Sequence, residues 1–260
     1  MYSISVITIC FNNLPDLIQT CDSVDLQKLK PFQHIIIDGS TNNEIKGYLQ
    51  KKALNNYREW ISEPDNGIAD AFNKGIRIAT GEIVVMLNSG DLFYNDSVIE
   101  TVTTAFSKEP QISWLHGKYR LMRGGISVII GKPFEKRKLY RGMRSVSHQT
   151  MFVKKQLHEK YGLYGTTEKI SMDYDFLCRI ADEAFAFLPV PLITFAPAGT
   201  STVHYLQSLR DAKTVYTRYF GKSIFLTLWQ LRLRILYYVL HSPVGNFLYK
   251  IKTKLKLENM

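Results

Sequence analysis

Between Ser62 and Asp91 the chain passes through a polar turn, one helix, a sharp stop and a short apolar strand with an acidic end, all within thirty residues. Pro64, Asn66 and Gly67 punctuate the turn, after which Ile68, Ala71, Phe72, Gly75, Ile76 and Ala79 recur at helical spacing. Thr80-Gly81 stops that helix. Residues 83–87 then form an apolar run with β-branched members, the pattern of a strand covered on both faces. In an open α/β sheet ligands bind beyond the carboxyl ends of the strands. Asn88-Ser89-Gly90-Asp91 lies at that end, which places Asp91 where a ligand is expected.

The same alternation runs through the first half of the chain. Strands are predicted at 3–9, 33–37, 57–62 and 83–87, with helices at 15–28, 42–54 and 68–79 between them. A helix at 96–106 and a strand at 112–116 extend the series. This βαβα order predicts a mostly parallel sheet with helices on its faces. Residues 118–144 carry nine Lys or Arg against one Glu, with Gly124-Gly125 and Gly142, and read as a hairpin and loop near the substrates or as a solvated charged face.

Composition sets the outer bounds. A chain of 260 residues, 45% hydrophobic and 22% charged, can bury a sizeable core as one domain or one domain with an appendage. The three cysteines show no metal-ligand spacing and fit a reducing cytoplasm. The first residues run straight into a strand pattern, so no signal peptide is expected. Of the formal charge of +10, most sits after residue 204, where ten Lys or Arg face two Asp or Glu. No recognised DNA or RNA module accompanies these cations, which are interleaved with apolar residues, so a membrane surface fits better than nucleic acid.

That tail is predicted to form helices at 205–220 and 224–240 and a third starting at Ser242-Pro243, with Val244, Phe247, Leu248, Ile251 and Leu255 on one stripe. Arg232 and Arg234 interrupt an apolar run of only seventeen residues, and about twenty are needed to cross a bilayer. The expected position is along the interface, with Trp229, Tyr237, Tyr238 and Tyr249 at headgroup level. Amphipathicity serves a protein partner equally well, so packing on the domain or on a second subunit is the alternative, and a homo-oligomer formed through the tail is open.

The run Glu63-Pro64-Asp65-Asn66-Gly67-Ile68-Ala69-Asp70-Ala71-Phe72-Asn73-Lys74-Gly75 resembles the donor-binding segment that leads into the Asp-x-Asp strand of family 2 glycosyltransferases of the GT-A fold. Ser5-Val6-Ile7-Thr8-Ile9-Cys10-Phe11-Asn12 and Ile35-Ile36-Ile37-Asp38-Gly39-Ser40-Thr41 resemble that family's first two strands. Ser147-His148-Gln149 and Asp173-Tyr174-Asp175-Phe176 resemble motifs of its acceptor half. The resemblance implies an α/β GT-A (Rossmann-like) fold, a mostly parallel central sheet flanked by helices, to which the chain's own pattern adds a C-terminal amphipathic helical extension. Residues 1–204 would form the catalytic domain, 1–117 binding the nucleotide-sugar and 118–204 the acceptor; the membrane-associating tail, 205–260, rests on its own charge and amphipathicity, outside the resemblance.

The resemblance also distributes roles. Asp38 matches the carboxylate that binds the nucleotide base, typically uracil, though a turn residue before Gly39 would look the same. Thr8 and Asn12 are lesser candidates for that pocket, and Asn12 also suits an Asx-turn. Glu63, Asp70, Asn73 and Lys74 fall along the nucleotide-sugar, although acidic residues are stabilised at any helix start. Asp91 is the preferred ligand of a divalent cation, Mn²⁺ or Mg²⁺, with His204 as an additional one and Asn88 on the sugar. Asn88 and Gly90 stand where the family pattern is acidic, which leaves Asp91 alone.

Asp173 is the expected general base, with Met172 in place of the family's Glu. His148, Gln149, Asp175 and Arg179 are expected to contact or orient the acceptor. The implied reaction is inverting transfer of one sugar from a nucleotide-sugar, UDP-linked by the resemblance, to a hydroxyl of a glycan or of a polyprenyl-diphosphate-linked oligosaccharide in bacterial polysaccharide biosynthesis. The expected location is the inner face of the cytoplasmic membrane, peripherally bound. A noncatalytic nucleotide- or carbohydrate-binding scaffold of the same fold is the alternative that Asn88 and Gly90 favour. A nucleotidyltransferase would carry a Gly-rich basic loop after its first strand, and Cys10-Phe11-Asn12-Asn13-Leu14-Pro15 is not one.

Overall fold

The computed structural model describes residues 1–51, 56–123, 126–144, 146–167, 170–196, 204–243 and 245. Strands β1 (Ile4–Cys10), β2 (Gln33–Asp38), β3 (Arg58–Ser62) and β4 (Ile83–Met86) alternate with helices α1 (Leu14–Asp25), α2 (Glu44–Lys51) and α3 (Ile68–Ile78). They pair in parallel in the order β3-β2-β1-β4, with Ile7 opposite Ile35 on one side and Met86 on the other. Both faces are covered, as the unbroken apolar runs require. Ile7, Val84 and Met86 enter a core beneath α3, whereas Ile4, Val6, Ile83 and Val85 enter a second core on the opposite face. Helix α3 lies so close to β1 that a Cβ on Gly75 would come within 2.4 Å of the Ile7 side chain.

The sheet continues through β8 (Phe152–Lys154), β6 (Trp114–Arg123), β9 (Phe185–Thr194) and the short β5 (Leu92–Phe93), while β7 (Ile126–Ile130) pairs with β6. Strand β8 runs antiparallel to β4 and β6, β9 runs parallel to β6, and β5 and β7 run antiparallel to their neighbours, so β1–β4, β6 and β9 share one direction and the sheet is mostly parallel in that sense. Helices α4 (Val98–Lys108), α5 (Gln156–Tyr161) and α6 (Met172–Arg179) complete the body. The basic segment is a hairpin, as expected, followed by a 3-10 turn at Lys136–Arg141. The expected strand at 112–116 extends further, to Arg123, because β7 and β9 supply partners on both sides.

The tail forms α7 (Tyr205–Phe220) and α8 (Ile224–Leu240) at the predicted positions, and no described helix is long and apolar enough to cross a membrane. Both helices fold back onto the body. Helix α7 packs on α6, and α8 packs on α7 and on the 3-10 turn. The third predicted helix, including Tyr249, lies outside the described residues apart from Ser242, Pro243 and Gly245.

On α8, Leu226, Gln230 and Leu233 are buried against the body, whereas Ile224, Leu228, Leu231, Ile235 and Tyr238 are each more than half exposed. At 100° per residue these sets occupy opposite faces. The helix is therefore apolar on two sides, one of them covered by protein.

Candidate functional site

The carboxyl ends of β1, β2 and β4 form one rim, and the chain emerging from β4 turns sharply at Asn88-Ser89-Gly90-Asp91. Gly90 adopts φ +96°, and a Cβ there would meet Ala196 at 3.1 Å. An acidic residue at this position would be strained, which accounts for the departure from the family pattern. Thr20 of α1 clamps the turn by accepting from the Gly90 N–H at 2.8 Å and donating to the Asp91 carbonyl at 2.9 Å. Nothing in the sequence around Thr20 marked this role, because its partners lie about seventy positions away.

Asp91 is 5% exposed. Its carboxylate accepts from the Ala196 backbone N–H at 2.9 Å and from Gln149 Nε2 at 3.2 Å. Burial pushes its pKa up, opposed by the Ala196 N–H, the nearby His148 and the Gln149 amide. The Asn88 carboxamide faces His148, with Nδ2 3.4 Å from Nε2. The opposite edge of that ring, Nδ1, is 3.2 Å from Asp173 Oδ2, and Phe72 of α3 packs against the ring edge-on at 5.9 Å between centroids. Asn88 donating to Nε2 leaves the proton on Nδ1, directed at Asp173. Asp173 stands in the first turn of α6. The structure thus brings Asn88, Asp91, His148, Gln149 and Asp173 together from three separated segments.

Other expected residues are occupied elsewhere. Thr8 is fully buried, with Oγ1 2.9 Å from His34 Nε2, so its hydroxyl serves the core and not a nucleotide pocket. Arg58 Nε donates to His34 Nδ1 at 3.1 Å, and burial holds that imidazole neutral with its pKa lowered to about 3. Asn73 is a clasp: its Nδ2 donates to the Tyr164 carbonyl and its Oδ1 accepts from the Tyr164 N–H, each at 2.9 Å. Arg179 donates to Asp175 at 3.0 Å and to the carbonyls of Tyr161, Gly162 and Leu163. Asp175, 4% exposed, also accepts from Arg218 at 3.1 Å and Tyr219 at 2.9 Å, both on α7. Asp175 and Arg179 therefore tie α6 to its neighbours, as the two-residue offset of Asp175 from Asp173 requires.

On the rim, Asp38 accepts from the Ser40 N–H at 3.0 Å and from Ser62 Oγ at 2.8 Å. Asn12, at φ +52°, links the first two strand ends: its Nδ2 donates to Thr41 Oγ1 at 3.0 Å and its Oδ1 accepts from the Thr41 N–H at 3.1 Å. Lys74 bridges Glu63 at 2.9 Å, Asp70 at 3.8 Å and the Pro64 carbonyl at 2.7 Å. His204 is exposed at the cap of α7, and no described hydrogen bond or ion pair ties it to Asp91. Among the described residues no three His, Cys, Asp or Glu converge as a metal cluster. The oxygen donors present are the Asp91 carboxylate and Asn88 Oδ1, which is buried with no hydrogen-bond partner among the described residues. That orphaned oxygen, on the same turn as the buried Asp91 carboxylate, fits a hard cation whose remaining ligands would come from a bound diphosphate and water.

Beyond Asp173 opens a cavity of about 460 Å³. Ile170, Ser171 and Asp173 line one side, residues 140–144 another, and α7 and α8 the remainder, including Leu209, Trp229 and Gln230. Sequence reasoning assigned the tail no part in such a site. The signal available was Arg141-Gly142-Met143-Arg144, a pair of cations around a glycine, whose partner helix lies some ninety residues on.

Comparison with known proteins agrees with this architecture. Residues 5–162 match the model of Glycosyl transferase family 2. An uncharacterized glycosyltransferase of Mycobacterium tuberculosis is 36% identical over 183 residues, 69% of each chain. A PGL/p-HBAD biosynthesis glycosyltransferase of Mycobacterium bovis is 26% identical over 183 residues, again 69% of each. Among solved structures, the mannosyltransferase PcManGT from Pyrobaculum calidifontis, in complex with GDP-Man and Mn²⁺, superposes with a TM-score of 0.65 at 14% identity, over 99% of this chain and 81% of that one. S. aureus TarS 1-349 in complex with UDP-GlcNAc gives 0.62 at 13% identity, over 88% and 70%. Helix order, sheet order and family match converge: the chain belongs to glycosyl transferase family 2 and is a glycosyltransferase of the GT-A fold.

Proposed function

We propose that the protein transfers a single sugar, with inversion at the anomeric carbon, from a nucleotide-sugar to a hydroxyl of a glycan or lipid-linked oligosaccharide in bacterial polysaccharide assembly. The observation that carries this reading is the connected path from Asn88 through His148 to Asp173, which joins the strand-end turn to the mouth of the cavity. The acceptor hydroxyl gives its proton to Asp173 while its oxygen bonds to the anomeric carbon, and the bond to the nucleoside diphosphate breaks on the opposite side. His148, held by Phe72 and Asn88, orients the Asp173 carboxylate through Nδ1.

The donor lies along the rim of Asp38, Asn12 and the Glu63-Asp70-Lys74 cluster, with UDP as the nucleotide carrier. Mn²⁺ or Mg²⁺ held by Asp91 and Asn88 Oδ1 would supply Lewis-acid neutralisation of the departing diphosphate. The solved neighbours that carry UDP-GlcNAc or GDP-Man with Mn²⁺ support a nucleotide-sugar and a cation here. The exposed stripe on α8 supports peripheral attachment to the inner face of the membrane, with Arg232 and Arg234 flanking the inserted side.

A test combines donor binding with turnover. A panel of nucleotide-sugars with and without Mn²⁺ should raise the melting temperature for the true donor by mass action. Asp173→Asn should keep that shift and lose about 10² to 10⁴ in transfer rate, the usual contribution of general-base catalysis. A loss below about tenfold removes Asp173 as the base.

A further inference from the structure

The cavity behind Asp173 has a wall that nothing in the transfer chemistry described so far uses. Arg141 and Arg232 hold their guanidinium carbons 5.2 Å from the centre of the Trp229 ring, and Arg144 holds its own at 5.4 Å. No carboxylate among the described residues forms an ion pair with any of the three. One aromatic face can offset part of the mutual repulsion of crowded cations, and an anion offsets more.

Two buried polar atoms point the same way. Trp229 Nε1 and Gln230 Oε1 are both shut off from solvent with no hydrogen-bond partner among the described residues. Gln230 is only 6% exposed and spends its Nε2 on the Leu209 carbonyl at 3.0 Å. An unmade hydrogen bond at a buried donor or acceptor costs about 1–3 kcal/mol, so a site that leaves both open gains when a ligand supplies partners. Both atoms lie beneath the cavity surface, so a ligand reaches them once the covering side chains shift, and one that brings an anionic oxygen for the Trp229 N–H and a hydroxyl for the Gln230 oxygen satisfies both.

The surroundings select an amphiphile. The cavity, at about 460 Å³, falls in the range of roughly 300–1,000 Å³ usual for small-molecule sites. Asp173 is at one side of it, and the helix that carries Trp229 presents Ile224, Leu228, Leu231, Ile235 and Tyr238 on its exposed face.

We infer that α8 is part of the acceptor site: Arg141, Arg144 and Trp229 bind the phosphate of a lipid-phosphate-linked acceptor, whose sugar extends to Asp173 and whose chain leaves along α8. Arg232, on the same helix, lies against the Trp229 ring and adds positive charge nearby without lining the cavity. The inference rests on the glycosyl-transfer reading above for the role of Asp173, but the anion site stands on its own geometry. A bulk phospholipid headgroup offers the same phosphate; the position of Asp173 in the same cavity favours the acceptor.

The test uses the full chain with farnesyl diphosphate as a soluble probe, below its micellar concentration, and measures binding by calorimetry. The Arg141→Ala/Arg144→Ala double variant and, separately, Trp229→Phe, which keeps the ring and removes the N–H, should each weaken binding at least tenfold. Their affinity for phosphatidylglycerol vesicles should change less than twofold, because that depends on the exposed stripe. Farnesyl diphosphate binding unchanged in both variants overturns the inference. So does an equal loss of vesicle binding, which would make the wall a general headgroup patch. The nucleotide-sugar thermal shift is read on the same samples: its absence in the parent chain counts against the glycosyl-transfer reading, while the farnesyl diphosphate result decides the anion site.

Discussion

The strand-end rim and the tail-side cavity are built on opposite terms. On the nucleotide side of the rim the polar groups already have partners within the chain: both Asp38 oxygens, both ends of the Asn12 amide and the Lys74 ammonium are engaged, and the open groups are confined to the turn after β4, at Asn88 Oδ1 and Ser89 Oγ. Around the cavity the polar groups are left open, with Trp229 Nε1 and Gln230 Oε1 unpartnered and three guanidiniums on one indole. The rim is pre-shaped by its own hydrogen bonds, so a donor bound there as proposed would meet a fixed surface. The cavity holds its chemistry in reserve. Asp173 and His148 stand between the two.

This contrast can be broken most forcefully at Asp175. If that carboxylate is a tie between α6 and α7 and not an acceptor contact, Asp175→Ala leaves Arg179 partly buried and unpaired, at a cost of about 3 kcal/mol. Urea unfolding should show the loss, and the acceptor KM of the folded enzyme should hold. Asp91→Asn tests the rim next. It should lower transfer by roughly 10² to 10³, the range for losing one preorganised charge-stabilising group, with little change in unfolding midpoint.

Asn73→Ala is a smaller stability change with the same logic. Stripping the clasp orphans the buried Tyr164 N–H and carbonyl and should cost about 1–3 kcal/mol in unfolding free energy while kcat of the folded enzyme stays put. A collapse of kcat with stability intact would return Asn73 to the donor site.

The most gradual effect is in pH. Burial lowers the pKa of His34 and His158 to about 3 and that of His116 to about 4. A histidine depressed in the folded state binds its proton only in the unfolded chain as the pH drops below about 6.5, so folding stability falls with pH through that window. Each such group contributes a slope of about 1.4 kcal/mol per pH unit between its two pKa values. His116→Phe, placed beside Trp114 and Phe185, should flatten the stability profile between about pH 6 and 4.5 by that slope relative to the parent.

How much of this was legible in the sequence follows from the range of each interaction. Strands β1 to β4 and helix α3 fall within a residue or two of their predicted bounds, because apolar periodicity and Gly or Pro punctuation are local signals. Asp91, His148, Gln149 and Asp173 were expected singly, and the fold brings them into one chain of contacts.

Thr8, Asn73 and Arg179 look like site residues in sequence, yet their partners are His34, the Tyr164 backbone and a row of carbonyls. A polar side chain satisfied across 91 positions carries no local mark of it. The tail helices were placed to the residue, but their inner face was not. Amphipathicity locates an apolar stripe without naming what covers it, and here protein covers one stripe of α8 and leaves another open.

The central claim is a single displacement with Asp173 as base, and the configuration of the first-formed product tests it most directly. Proton NMR on early time points of transfer by the full chain should show an anomeric centre opposite to that of the donor. A product that keeps the donor's configuration would contradict the account.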